Sequence, residues 1–173
     1  MGLPTGTLNH AEMVHAPGER ELCRRALETL GCEVMPELAL DHWLVVDKGA
    51  FLISEVTPEQ WSFEQWLSPL VKEEGGYEYE AYLSQFGVRP QRYHHLGMGM
   101  TSLEIWEERV AKLQDLPNTD PELAERMKVA SVFHPGDPGA FGLFQAFVRT
   151  DVFSAGLLTL GQTVELQFSL TSV

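Results

Sequence analysis

The chain has 173 residues, 44% of them hydrophobic and 21% charged, a balance that supports one domain-sized core and excludes gross disorder. Its formal charge of −13 repels polyanions and excludes nucleic acid or an anionic membrane as the main partner. No uncharged apolar run approaches the roughly 18–20 residues of a membrane span. Met1 to Gly6 show no basic region followed by an apolar stretch, so the expected compartment is the cytoplasm.

In chain order, Thr7 to Val14 alternate as a strand does, which puts Leu8, His10, Glu12 and Val14 on one face. After Pro17-Gly18 the spacing of Cys23, Leu27 and Leu30 predicts an amphipathic helix over 18–30, ended by Gly31. Cys23 and Cys32 have neither the number nor the spacing of a disulfide framework and read as reduced thiols packed near that helix. Strands are expected near 33–35, 42–46 and 50–56, the last two separated by the turn Asp47-Lys48-Gly49.

Residues 58–91 change character. Trp61, Phe63, Trp66 and Leu67 crowd among acids, Pro69 ends or kinks a short helix, and Gly75-Gly76 breaks the segment. Tyr79, Tyr82, Leu83 and Phe86 then give a second helical stripe, so this stretch reads as a packed helical insertion, a lid or a partner-binding surface.

From Tyr93 the pattern restarts. Tyr93 to Met100 is a strand candidate, and Thr101 with Glu104 has capping-box spacing before a helix that buries Leu103, Trp106, Val110 and Leu113. A short helix fits 121–127, and strands fit 129–134, 142–150 and 162–170. Strand, helix and three strands thus occur twice in one order. The expected architecture is α+β: one domain over 1–173, with βαβββ modules at 7–57 and 92–171 forming a cupped, mostly antiparallel sheet, and the insertion at 58–91 between them.

Each half offers a histidine in its first strand and a glutamate in its last: His10 with Glu55, and His95 with Glu165. Imidazole and carboxylate are ligands for divalent ions such as Zn, Ni, Fe, Mn or Co, and strands can aim both into one hollow. Glu165, between Val164 and Leu166, needs a partner if its face is buried. Glu12 shares the predicted face of His10 and is an acid–base candidate. His94 faces away from His95 in a regular strand, His15 reads as rim, and His42, His134 and Arg149 read as structural or exposed.

The segments Asn9-His10-x-Glu12-Met13-Val14 and Leu27-x-x-Leu30-Gly31-Cys32-Glu33-Val34 resemble the opening of vicinal oxygen chelate modules, the superfamily of glyoxalases, epimerases, extradiol dioxygenases and antibiotic-resistance proteins. His95-Leu96-Gly97-Met98-Gly99-Met100 looks like the start of the second module, and Val164-Glu165-Leu166 like its closing metal-ligand strand. The resemblance implies His10, His95 and Glu165 at ligand positions, with Glu55 at the fourth. Glu55 follows His10 by 45 residues and Glu165 follows His95 by 70, so the second half must absorb 25 more in its loops.

Two functions fit. One is a divalent-metal enzyme on a small oxygenated substrate, of isomerase, epimerase or lyase type with four ligands (Glu55 or Glu165 doubling as base) and of dioxygenase type with three. The other is a metal-free protein of the same fold that sequesters a small molecule. The modules can pair within one chain or swap across a homodimer.

Overall fold

A computed structural model describes residues 10–34, 43–46 and 50–170, with backbone alone at 10, 43–46, 50, 51, 86 and 87. The first module runs β1 (His10–His15), α1 (Arg20–Leu30), β2 (Glu33–Val34), β3 (Trp43–Val46) and β4 (Ala50–Glu55). The insertion holds α2 (Pro58–Pro69) and α3 (Gly76–Val88). The second module runs β5 (Leu96–Gly99), α4 (Leu103–Gln114), α5 (Leu116–Thr119), α6 (Pro121–Arg126), β6 (Met127–Phe133), β7 (Leu143–Thr150), β8 (Phe153–Ser154) and β9 (Gln162–Ser169). The turn at 47–49 lies outside the described residues.

One sheet has the order β2-β3-β4-β1-β8 and the other β5-β9-β7-β6. With β8 set aside, both modules follow one plan. The first strand lies beside and parallel to the last, and every other pair is antiparallel. This is an α+β protein of two βαβββ modules. The additional strand β8 pairs antiparallel with β1, Val14 opposite Ser154 and His15 opposite Phe153, which ties the second module to the edge of the first sheet. The second module is the longer because α5 and α6 lie between α4 and β6, β8 and the single turn Leu158–Leu160 lie between β7 and β9, and β6 and β7 themselves outrun β2 and β3.

The helices form where their apolar stripes find a common core. Leu22, Cys23, Ala26, Leu27 and Leu30 of α1 join Met13 and Ile53 from the first sheet, Met98 and Leu166 from the second, and Trp106, Val110 and Leu113 of α4 in one buried cluster. Gly31 closes α1 in the left-handed region at φ 97, its N–H bonding the Glu28 carbonyl while that of Cys32 reaches Leu27. Helix α4 is capped by Ser102, not by Thr101 as its capping-box spacing suggests. The Ser102 hydroxyl accepts the Ile105 N–H at 3.2 Å, because Ser102 is the extended residue that precedes the first turn. Ion pairs of Arg25 with Asp120 at 2.8 Å and Arg126 with Glu19 at 2.9 Å add bridges between the modules.

The insertion is docked at several points. Pro69 ends α2, as its ring requires, and a π turn over Leu70–Glu74 carries the chain to Gly75. Trp61 of α2 packs against the small buried cluster of Ala16, Val56 and Leu158. Glu64, 2% exposed, accepts the backbone N–H groups of Leu158 and Thr159 at 2.8 and 2.9 Å and the Thr159 hydroxyl. Tyr82 of α3 meets Tyr93 edge to face, with centroids 5.7 Å apart. Among the described residues, no helix is long and apolar enough to cross a membrane.

Candidate functional site

Strand alternation sorts every site residue by face. In the second sheet, Met98, Val164, Leu166 and Ala146 point to the α4 side and are buried there. The opposite face, open only in that it lies away from α4, carries Gly97, Thr163, Glu165, Gln145, Phe147 and Arg149, of which Thr163, Glu165, Gln145 and Phe147 are themselves buried. In the first sheet, Met13 and Ile53 are paired and face α1, so Glu12, Val14, Leu52 and Ser54 take the open face.

On the open face the structure brings His95 and Glu165 together. His95 stands one residue before β5, in the bend after Tyr93, where sequence spacing had placed it inside a strand. Its Nε2 lies 3.1 Å from Glu165 Oε2. Its Nδ1 lies 2.7 Å from the Tyr93 carbonyl oxygen, an acceptor only, so Nδ1 carries the hydrogen. The ring stands edge-on to Phe147, centroids 5.6 Å apart, and Phe133 packs against Phe147 in turn. Glu165 is 5% exposed, and its other oxygen accepts the Gln145 amide at 2.6 Å, while Gln145 accepts from Gln91. Gly97 leaves room beside it: a Cβ there would stand 3.9 Å from Glu165 Oε2.

A neutral His95 presents the Nε2 lone pair to a carboxylate, and two lone pairs at 3.1 Å repel. The arrangement becomes favourable when one proton lies between the two atoms, on Nε2 or on the carboxyl oxygen, or when both atoms face a cation. Two donors at a right angle on an ion with bonds of about 2.1 Å stand roughly 3.0 Å apart. A ring nitrogen held by a backbone carbonyl is also the usual support of a ligating histidine. The residues present thus fit two adjacent positions of a metal set.

The two modules can be superposed in register. Met98 opposite Leu166 corresponds to Met13 opposite Ile53, both pairs buried under the module's helix. That correspondence carries His95 to position 10, Gly97 to Glu12 and Glu165 to Leu52. His10 opens β1 opposite Ala50, and its side chain lies outside the described residues. Glu55 falls opposite His15, on the helix-covered face, and corresponds to Phe168. Its carboxylate is exposed and accepts the Gly18 N–H at 2.9 Å. An odd step along β4 places Glu55 on the face away from Leu52 and Ser54; because the His10 side chain lies outside the described residues, a hollow shared by His10 and Glu55 stays an expectation. Glu12 lies on the open face and is exposed, with the Ser54 hydroxyl donating to it at 2.8 Å. Among the described residues, no three His, Cys, Asp or Glu side chains gather as a metal site.

The other histidines divide. His15, read as rim, is 2% exposed and its Nδ1 bonds the Ala16 carbonyl at 2.8 Å. His94 is exposed, 3.5 Å from the Gln162 amide. His134 is exposed at its atoms yet packs its ring on Trp106 and Phe144. Sequence reasoning missed the Tyr93 carbonyl, Phe147 and Gln145. Only Gln145 left a signal, a lone amide within Phe144-Gln145-Ala146-Phe147.

Fold and site thus define a two-module α+β protein with an imidazole–carboxylate centre on the open face of its second sheet. In structure the chain is similar to a lactoylglutathione lyase from Agrobacterium tumefaciens, at a TM-score of 0.49 and 12% identity over 96% of each chain. It is also similar to a hypothetical protein from S. aureus, at a TM-score of 0.45 and 10% identity over 96% of this chain and 95% of that one. No family model and no curated protein matches the sequence.

Proposed function

We propose that the chain is a divalent-metal enzyme of vicinal oxygen chelate type that uses three protein ligands, His10, His95 and Glu165, and acts on a small oxygenated substrate. The observation that carries this reading is the braced imidazole: Nδ1 fixed by Tyr93, Nε2 turned to a buried carboxylate at 3.1 Å. Leu52 at the place equivalent to Glu165, with Glu55 engaged on the other face, favours two histidines and one carboxylate over a four-ligand set. Bound there, a divalent ion supplies Lewis acidity at open positions suited to two adjacent substrate oxygens, the arrangement non-haem Fe(II) oxygenases use. The chain's own residues orient and move protons. Gln145 holds the far oxygen of Glu165, Phe147 and Phe133 shield the ring of His95, and Glu12, steadied by Ser54, is the acid–base group on the adjoining face.

A second reading has the same geometry without an ion. One proton then lies between His95 and Glu165, and the protein binds and sequesters its small molecule. The apolar Leu52 at the fourth corner favours it. Elemental analysis of the purified chain separates the two. The metal reading expects one equivalent of ion, lost in His95→Ala and retained in Glu55→Gln. Absence of metal with no uptake of Fe(II), Zn, Mn, Co or Ni leaves the sequestering protein.

A further inference from the structure

The open face of the second sheet continues past Glu165 to a cavity of about 450 Å³ between α3, the ends of β6 and β7, and the turn at Leu158–Leu160. That volume suits a small organic molecule. Its walls carry Lys72, Arg126, Lys128 and Arg149 against Glu125 and Asp151. Four of the chain's twelve basic residues therefore line one hollow of a protein whose net charge is −13. Arg126 and Asp151 are bonded to each other, and Arg126 also to Glu19. Counted together, Lys72, Arg126, Lys128 and Arg149 stand against Glu19, Glu125 and Asp151, a local excess of one positive charge in an otherwise acidic chain.

Arg149 is aimed by neutral acceptors, the Leu160 carbonyl at 2.8 Å and the Thr163 hydroxyl at 3.4 Å. Partial burial pulls its pKa below the ordinary arginine value, against the opposing pull of Tyr82, Tyr79 and Asp151. Lys128 is its cross-strand neighbour on β6. Opposite these cations, Tyr79, Leu83 and Leu160 give an apolar wall, and burial raises the Tyr79 pKa, so the phenol stays a neutral donor. Thr163 and Glu165 are two residues apart on β9, a step of roughly 7 Å. Arg149 at the cavity reaches Thr163, so the cavity lies about one such step from Glu165 along β9, with the buried Thr163 and Phe147 side chains between them. Helix α3 reaches both, Tyr79 at the cavity and Tyr82 against Tyr93.

We propose that this cavity takes the acidic end of the ligand, a small organic oxyacid whose carboxylate or phosphoryl group sits against Arg149, Lys128 and Lys72. Its apolar body lies under Tyr79 and Leu83, and its far end points to His95 and Glu165. The direction of that far end rests on the proposed metal site; the oxyanion pocket does not. Titration of the full chain with phenylacetate and with phenyl phosphate, against neutral phenylacetamide, tests it. The acids bind saturably, the amide at least tenfold more weakly, and the stronger acid identifies the oxyanion. Arg149→Met and Lys128→Met each weaken the acids at least tenfold and leave the amide unchanged. Lys128 is exposed, so its variant answers even if Arg149→Met fails to fold. Acid binding that persists in His95→Ala after metal is lost shows the pocket standing apart from the metal reading. Equal binding of acid and amide, no saturable acid binding, or wild-type affinity in Lys128→Met overturns the pocket whatever the metal result.

Discussion

At the scale of single residues, the site depends on how buried polar groups are satisfied. Glu165 is nearly excluded from solvent and survives there because Gln145 and His95 face its two oxygens. In chelator, where any ion is gone, His95→Ala strips one of these partners. Urea unfolding is expected to show a loss of about 1–3 kcal/mol; wild-type stability would mean that water already serves that oxygen. Glu55 is the contrasting case, an exposed carboxylate on a turn N–H, and Glu55→Gln is expected to cost under about 1 kcal/mol. Cys23 is fully buried, and burial pushes its thiol up to about 12. Because the folded value lies above the ordinary thiol value of 9.0, its contribution to stability is complete below that pH and fades as pH rises toward 12. Native protein at about pH 8 is therefore expected to leave Cys23 unlabelled by a thiol reagent that modifies it readily in denaturant; rapid native labelling would contradict the burial.

At the scale of elements, the two closing strands explain what the sequence could and could not disclose. Thr163 to Phe168 alternate polar and apolar without a break, so the amino-acid pattern alone puts Glu165 on the open face. Ala50-Phe51-Leu52-Ile53 is one apolar run, with no period from which to phase Ser54 and Glu55. The parallel pairing of β4 with β1 decides that phase, and pairing is not written in local composition. Strand β8 escaped for a similar reason, since two residues carry no period. Helices α1 and α4 were legible because their stripes are long and end in a glycine or begin at a hydroxyl. The insertion was legible as packed helices, but not the carboxylate that docks it. Glu64→Ala leaves the N–H groups of Leu158 and Thr159 without their acceptor and is expected to cost about 2–3 kcal/mol by urea unfolding. A loss below about 0.5 kcal/mol would mean the insertion is held by Trp61 and Tyr82 instead.

At the scale of the molecule, the repeat is the organising fact. Two modules with one strand plan share a core under α1 and α4, and their open faces carry unlike residues at equivalent places, Glu12 for Gly97 and Leu52 for Glu165. On this register position 10 falls in step with His95, and Leu52 stands where the second module has Glu165. On this register, Leu52→Glu supplies a fourth ligand and tightens metal binding at least tenfold in a competition titration; no change would place Leu52 away from the ion. The central claim is most directly tested by X-ray absorption of the chain loaded with one equivalent of Co(II). The account predicts a first shell holding two imidazoles and oxygen donors, falling to one imidazole in His95→Ala. A shell without imidazole, or one that His95→Ala leaves unchanged, would contradict it.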